Sequence, residues 1–298
     1  MTGGPELAST SATVGPFLVD GLRVLAERFA DAGRRVIAEA DDRDSVHDLR
    51  VVLRRARTSL EVGRGVLGAF HADEVRRSLR DVQRATGTLR DEEVLLELVA
   101  ALGSERQDVQ AWIGGRRRRE RALRSALRRM VRAGDLDRGR RLLDALLSFR
   151  IKPSRDKRLT KFARRAVDDA RRDVERRRAA PLEDPESMHR LRIAYKRLRY
   201  TVDAFATSLP ADLVGLSQPA ARLQGRLGEL HDVDVAIACV RRARSLEDAG
   251  RGALLAALTR LRAQRAAACE EELGAPRGSV LWMRYPVGRD SLRKISTR

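Results

Sequence analysis

The spacing of hydrophobic residues along the chain predicts helices almost throughout. Leu, Val and Ala recur at three- and four-residue intervals among Ala, Arg, Glu and Leu, which are good helix formers. Patterns typical of β-strands are almost absent, so an all-α fold is expected. Breaks between helices are predicted near Pro16, residues 41–44, Gly87, Gly103, Gly134, Pro153, residues 181–185, Pro210, Gly228 and Gly274.

The pattern repeats at about half the chain length. SVHDLRVVLRRARTSLEV at 45–62 resembles SMHRLRIAYKRLRYTVDA at 187–204, and His47 and His189 occupy the same position in these two stretches. LRDEEV at 89–94 likewise resembles LHDVDV at 230–235, at nearly the same offset. Two different motifs that recur in the same order indicate an internal duplication.

Each half therefore predicts an antiparallel four-helix bundle. The expected helices are a leading helix, a helix headed by the histidine, a third helix that ends at a glycine and a fourth that starts at an aspartate. The landmarks in the two halves are 17–40 and 156–180 for the leading helix, Gly87 and Gly228 for the end of the third, and Asp91 and Asp232 for the start of the fourth. Both aspartates are expected to cap the fourth helix rather than to take part in catalysis.

The predicted domain covers residues 15–274, with one repeat at about 15–150 and the other at about 155–274. Residues 1–14 are expected to be a disordered leader and residues 275–298 a basic tail. The leader lacks the basic start and apolar core of a signal peptide, and no apolar run is long enough to span a membrane. A cytoplasmic protein without a membrane partner is expected, and its oligomeric state is left open.

The charge balance narrows the class of partner. The chain contains 61 Lys and Arg against 42 Asp and Glu, a formal net charge of +19, which indicates a polyanionic partner such as nucleic acid, polyphosphate or an anionic membrane surface. Because nearly all the cations are arginine in an alanine-rich chain, their placement on the helices is stronger evidence than their number. Aromatic residues make up only 4%, so stacking platforms for single-stranded bases are few.

Each helix headed by a histidine places its cations in one row beside its apolar face. At 100° per residue the cations of one helix fall within an arc of about 80°, next to an apolar arc of about 120°. The two rows, each about 15 Å long, are His47, Arg50, Arg54 and Arg57, and His189, Arg192, Lys196 and Arg199. The apolar faces are Val46, Leu49, Val52, Leu53, Ala56 and Leu60, and Met188, Leu191, Ala194, Tyr195, Leu198 and Val202. Arg55 and Arg197 fall outside both rows and are expected to face solvent.

A row of like charges beside an apolar face favours an anionic ligand, which would offset both the repulsion and the cost of desolvation. Arginine offers forked donors to phosphate oxygens, lysine offers a point charge, and histidine can become a cation when phosphate approaches. Both histidines also lie in the first turns of their helices, where free backbone N–H groups favour anions. The rows therefore predict a phosphate-rich ligand.

The repeated motifs H-x-x-R-x-x-x-[RK]-R-x-R and G-x-L-[RH]-D-x-[DE]-V resemble those of the CHAD family, named for conserved histidines in an α-helical domain. The resemblance implies two four-helix bundles related by a pseudo-twofold axis. It also implies a basic central surface that binds inorganic polyphosphate and can direct a protein to polyphosphate granules. The implied ligands are His47, Arg50, Arg54, Arg57, His189, Arg192, Lys196 and Arg199, with Arg84 and Arg226 as weaker candidates.

Some members of that family carry an N-terminal triphosphatase domain with an E-x-E-x-K motif, and this sequence has no such motif. Neither a metal-binding carboxylate cluster nor a nucleophile with its base is recognisable. We therefore expect a stand-alone binding protein that is not an enzyme and needs no cofactor or metal.

Two alternatives remain. Sequence-independent binding of nucleic acid is the first, because phosphate contacts alone give affinity for any polyanion. A di-iron bundle is the second, because Asp44-x-x-His47 and Glu186-x-x-His189 resemble its carboxylate-x-x-His pairs. The neighbouring arginines disfavour a bound cation, which makes the metal site the weaker alternative.

Overall fold

The computed structural model describes residues 12–38, 43–152, 155–178 and 184–274. These residues form helices joined by short connections, and within them β-pairing is limited to one isolated bridge between Thr13 and Arg158. The predicted all-α fold is confirmed. In the described part of the chain, no helix combines the length and the apolar character needed to cross a membrane.

Each half of the chain contributes four long helices. The helices of the first half are α1 (Val14–Ala38), α2 (Arg43–Val62), α3 (Arg64–Leu67), α4 (Ala69–Ser78), α5 (Arg80–Ala101), α6 (Gln107–Arg132) and α7 (Asp135–Ser148). Those of the second half are α8 (Leu159–Arg177), α9 (Pro185–Phe205), α10 (Ala211–Val214), α11 (Ser217–Arg241) and α12 (Asp248–Gly274), with a 3₁₀ turn at Ala206–Ser208. The long helices α1, α2, α5 and α6 correspond to α8, α9, α11 and α12.

Local sequence explains where α9 begins. Asp184 accepts hydrogen bonds from the backbone N–H groups of Glu186 and Ser187, both at 3.2 Å, and Pro185 occupies the first helical position. Such a cap satisfies N–H groups that have no partner within the helix. His189 is thereby placed in the second turn of α9.

The predicted breaks at Gly87 and Gly228 are wrong. The helices α5 and α11 run unbroken through these glycines and through Asp91 and Asp232, so the two aspartates lie inside helices and are not N-caps. A glycine inside a helix costs only about 1 kcal/mol relative to alanine, which packing against neighbouring helices can offset.

Other predicted breaks fall close to observed helix ends. Gly103 follows α5 and Gly134 precedes α7, with φ angles of 63° and 88° that favour glycine. Pro16 lies in the first turn of α1, where proline is tolerated. Pro153 lies outside the described residues.

The predicted apolar faces of α2 and α9 form the centre of the core. Every residue of the two faces is buried, the most exposed being Val52 at 8%. Their cluster joins residues from both halves of the chain, and burying each large side chain contributes about 1.5–3 kcal/mol. A second cluster, which includes Trp112 and Leu258, packs the C-terminal parts of α5 and α11 against the N-terminal parts of α6 and α12. The two halves are therefore joined through shared cores.

The start of the described chain pairs with the start of α8. The backbone N–H of Val14 donates to the carbonyl oxygen of Lys157, and the N–H of Leu159 donates to the carbonyl oxygen of Ala12, both at 2.9 Å. Residues 12–14, which belong to the predicted leader, thus contact the second half. The rest of that leader and the predicted tail, 275–298, lie outside the described residues.

Candidate anion-binding surface

The helices α2 and α9 pack against each other and bring residues of the two cationic rows together. Arg54 of α2 donates a hydrogen bond of 2.5 Å to the hydroxyl of Tyr200 on α9. Lys196 of α9 lies close enough to Arg50, Arg54 and Arg57 of α2 for their charges to affect its pKa. We call the eight residues of the two rows the central surface: His47, Arg50, Arg54, Arg57, His189, Arg192, Lys196 and Arg199.

Neutral groups of α5 and α11 hold three arginines of the central surface in place. Arg50 donates to the carbonyl oxygen of Thr86 at 2.5 Å, and Arg57 donates to the side-chain oxygen of Gln83. In the second half, Arg199 donates to the side-chain oxygen of Gln224 at 3.3 Å. Because these acceptors are uncharged, they orient the guanidinium groups without neutralising them, although Arg199 also lies 3.7 Å from the carboxylate of Asp203.

The motif glycines allow two arginines to approach the neighbouring helix closely. A Cβ atom at Gly87 would lie 3.8 Å from Nη1 of Arg50, and one at Gly228 would lie 3.6 Å from Nε of Arg192. A side chain larger than alanine would therefore compete with the guanidinium for space. Both distances are ordinary van der Waals contacts, so the space beside each glycine would also accept alanine.

Tyr200 connects the two rows, and sequence analysis did not identify it. The residue is 5% exposed, and its ring lies beneath two guanidinium groups, with centroid distances of 5.5 Å to Arg54 and 5.4 Å to Arg199. The aromatic face attracts both cations. The two repeats differ here, since the first copy has Thr58 where the second has Tyr200. This difference is the feature of the sequence that could have pointed to Tyr200.

Lys196 lies partly buried among cations. Burial lowers its pKa to about 7, and the charges of Arg54, Arg192, Arg50 and Arg57 act in the same direction. The ammonium group therefore loses its proton near neutrality in the free protein. An anion bound beside it would favour the charged form.

Two histidines lie together next to Arg192. The rings of His189 and His231 are 5.1 Å apart. Burial, followed by the charges of Arg192 and Lys196, lowers the pKa of His189, and burial together with Arg192 and His189 lowers that of His231 to about 4. His231, from the LHDVDV motif, thus lies beside the central surface, a position that sequence analysis did not assign to it.

Two polar atoms of this surface are buried without a protein partner. Within the described residues, Nδ1 of His189 and Nε of Arg192 form no hydrogen bond. A buried polar group without a partner costs about 1–3 kcal/mol. Contact with water or with ligand oxygens would recover this energy.

Asp91 and Asp232 face the same surface from α5 and α11. Burial raises the pKa of each carboxyl, and the nearby cations, Arg50 and Arg192 for Asp91 and Arg192 for Asp232, oppose that rise. Asp91 also raises the pKa of Asp232. These carboxylates therefore contribute the acidic part of a mainly cationic surface.

The weaker candidates have different surroundings. Arg84 is exposed and lies 3.8 Å from Asp81, one turn earlier on α5. Arg226 is exposed and lies 3.7 Å from Glu229 and 3.6 Å from Glu272 of α12. The contacts described for both arginines are with these acids, so the structure does not join them to the central surface. Arg55 and Arg197 are exposed, as predicted.

Buried acids on α5 pair with the Arg-rich helix α6. Glu93 is 4% exposed and accepts a 2.7 Å hydrogen bond from Arg124, which is 7% exposed. Glu92 is equally buried and accepts from Arg116 at 2.5 Å and Arg119 at 3.2 Å. These pairs fix α5, which carries the groups that hold Arg50 and Arg57. Within the described residues, no group of three or more His, Cys, Asp or Glu side chains is placed to hold a metal ion.

Comparison with known proteins identifies the family. Two solved structures share the fold: the CHAD domain from the plant Ricinus communis, with a TM-score of 0.71, 20% identity and coverage of 93% of this chain and 97% of that one, and PptA from Streptomyces chartreusis, with a TM-score of 0.65, 17% identity and coverage of 88% and 98%. A sequence comparison with curated proteins finds no match. The family model for the CHAD domain matches residues 22–241, most of the chain, and the protein therefore belongs to the CHAD domain family.

Proposed function

We propose that the central surface binds inorganic polyphosphate and does not hydrolyse it. The main support is the position of Lys196 among Arg50, Arg54, Arg57 and Arg192, where neighbouring charges of the same sign and burial disfavour its charged form. A linear polyanion laid along the rows would offset these charges at several positions at once. Membership of the CHAD domain family, whose members bind polyphosphate, supports the same ligand.

The chemistry of the side chains favours binding over catalysis. Arginine forks and a lysine are suited to holding phosphate oxygens, and the sequence contains no recognisable pair of a nucleophile and its base. Binding of this kind would also bring a cytoplasmic protein to polyphosphate granules.

The proposal is tested by titrating the purified protein with long-chain polyphosphate, ATP and duplex DNA at one salt concentration. We expect polyphosphate to bind most tightly and no orthophosphate to be released during incubation. Equal affinity for duplex DNA would instead favour the general polyanion binding considered from the sequence, and orthophosphate release would show that the protein is an enzyme.

Polyphosphate binding should weaken as the pH rises above neutrality. A lysine is charged below its pKa, and the pKa of Lys196 in the free protein is about 7. Above that pH, binding must bring a proton to Lys196, so the affinity should fall by up to about tenfold per pH unit until the pKa of the bound state is reached. Burial and the neighbouring cations lower the pKa values of His189 and His231, so both are neutral in the free protein above pH 7 and add to the slope only where the bound anion returns a proton to them.

The variant K196R separates this effect from other pH effects. Its guanidinium stays charged over the whole range, so the part of the pH dependence that comes from Lys196 should disappear. Calorimetric titration between pH 6.5 and pH 9, in about half-unit steps, would measure the slope of log affinity against pH for the wild type and for K196R. An unchanged slope in K196R would show that Lys196 is not the group that takes up the proton.

Removing only the hydroxyl of Tyr200 should weaken polyphosphate binding by about threefold to tenfold, because a side-chain hydrogen bond to a charged group contributes about 1 kcal/mol or more. The variant Y200F keeps the ring beneath Arg54 and Arg199 and removes the acceptor for Arg54. If Tyr200 acts by positioning Arg54, adding Y200F to the variant R54Q should hardly change the affinity for polyphosphate. Additive effects of the two changes would show that Tyr200 acts independently of Arg54.

A further inference from the structure

Two clefts flank the place where α2 and α9 pack, and the internal repeat relates them. One, of about 470 Å³, is lined by α1, α2 and the end of α9. The other, of about 650 Å³, is lined by α8, α9 and the end of α2, and we call it the α8 cleft. Arg55 and Asp203 line the first cleft, and their counterparts in the other repeat, Arg197 and Glu61, line the second.

The two clefts differ sharply in charge. Lys161 and Arg165 line the α8 cleft, whereas the equivalent positions of the first repeat, in the first cleft, are Asp20 and Val24. The repeats have therefore diverged at these positions. The cations of the α8 cleft are Lys157, Arg158, Lys161, Arg165 and Arg197.

The acids of the α8 cleft are already paired elsewhere. Glu61 forms an ion pair of 3.0 Å with Arg76, and Asp169 pairs with Arg172. Within the described residues, the side chains of the five cleft cations form no ion pair or hydrogen bond with a carboxylate. All five residues are exposed, so their charges are available to a ligand from solvent.

The α8 cleft adjoins one end of the central surface. Glu61 lies one helical turn beyond Arg57 on α2, and both residues have Arg76 as a charged neighbour. From His47 to Glu61 the helix extends about 21 Å at the usual rise per residue. A tripolyphosphate is shorter than this distance, so only a longer chain could occupy the whole row and the cleft together.

We propose that the α8 cleft is a second phosphate-chain site, which binds the part of a long polyphosphate that extends past Arg57. This inference rests on the proposed function, since the same chain occupies the central surface. The first cleft, with Asp20 and Val24 in place of Lys161 and Arg165, does not favour a polyanion. The bound polyphosphate therefore leaves the central surface in one direction, towards α8.

The triple variant K161E/R165E/R197E tests the proposal. It should weaken binding of long-chain polyphosphate by about tenfold or more and reduce the slope of log affinity against log salt by about 2, since each lost contact lowers it by about 0.7. Binding of tripolyphosphate should change by less than about threefold, because the central surface is intact. The control R117E/R118E/R121E makes the same change in net charge at exposed positions of α6 and should bind both ligands nearly as the wild type does.

Each other outcome overturns the proposal. If the triple variant binds the long chain as tightly as the wild type does, the α8 cleft is not a phosphate site, and the proposed function still stands. If the wild-type protein binds neither polyphosphate nor tripolyphosphate, both the second site and the proposed function are wrong. Equal weakening in the α6 control would show an effect of net charge alone. A loss confined to duplex DNA would assign the cleft to nucleic acid. If thermal unfolding shows that the triple variant is not folded, the variant K161A/R197A takes its place. It should also lose more affinity for long-chain polyphosphate than for tripolyphosphate, by a smaller factor.

Discussion

Replacing four residues of the central surface with glutamate is expected to lower the affinity for long-chain polyphosphate by at least about 100-fold at moderate salt. The changes reverse the charge of residues from both halves that cluster where α2 and α9 pack: Arg50, Arg54, Arg192 and Lys196. Four favourable phosphate contacts become four repulsive ones. The measurement is a titration followed by calorimetry or by fluorescence polarisation of labelled polyphosphate.

The matched control for this prediction reverses four exposed arginines of α6, Arg117, Arg118, Arg121 and Arg129. Its net charge equals that of the first variant, so a specific site requires much tighter binding by the control. Because Arg50 and Lys196 are half-buried, the first variant must be checked by circular dichroism and thermal unfolding. If it unfolds, the corresponding glutamine variant removes the charges without adding carboxylates. Normal binding by a folded variant would contradict the assignment of both rows.

Replacing Arg124 with methionine is expected to destabilise the protein by about 3–5 kcal/mol, the usual effect of removing one partner of a buried ion pair. Glu93, now 2.7 Å from the guanidinium, would face an apolar side chain inside the packing of α5 against α6. Equilibrium unfolding in guanidinium chloride measures the change in the free energy of unfolding. The loss of stability should appear as a lower denaturant concentration at the midpoint of unfolding, with a similar dependence of the free energy of unfolding on denaturant concentration.

Two further variants make this prediction specific. R118A changes an exposed arginine of the same helix and should alter the free energy of unfolding by less than about 0.5 kcal/mol. In R124M, Glu93 keeps, among the described residues, only the 3.4 Å contact with Arg90, and Glu120 loses its 2.7 Å contact with Arg124. The double variant E93Q/R124M removes the more buried of these two charges and should recover part of the stability lost in R124M. A single variant R124M as stable as R118A would show that the buried pair does not hold α5 in place.

The apolar faces of α2 and α9 were predictable residue by residue. Helical periodicity is local, because about 100° of rotation per residue decides which side chains share a face whatever the rest of the chain does. Burial of Leu53 and Leu198, and exposure of Arg55 and Arg197, follow from that geometry. The repeat also indicated correctly that the two helices have equivalent faces.

The continuity of α5 and α11 through Gly87 and Gly228 was not predictable in the same way. Glycine weakens a helix by local entropy, and a sequence alone does not show which packing between helices offsets that cost. Arg50 lies on α2 and Gly87 on α5, and likewise Arg192 lies on α9 and Gly228 on α11. These contacts join residues far apart in the sequence, so a local pattern could predict neither the unbroken helices nor the position of Asp91 and Asp232 inside α5 and α11.

Two members of the site came only from the structure. Tyr200 and its partner Arg54 belong to different halves of the chain, and His231 and its neighbour His189 belong to different helices. Sequence analysis could have singled out Tyr200 from the difference between its repeat and the one with Thr58. No local pattern, however, indicates that its ring lies beneath arginines of both rows.

The sequence by itself determined the all-α class, the internal repeat and the two cationic rows, because all three depend on residue types and on the local geometry of a helix. Only the tertiary structure decided that α2 packs on α9, that Lys196 lies among four arginines and that its pKa is about 7. Desolvation and charge interactions act through space between residues far apart in the chain. The same is true of the α8 cleft, whose cations come from the segment before α8, from α8 itself and from α9.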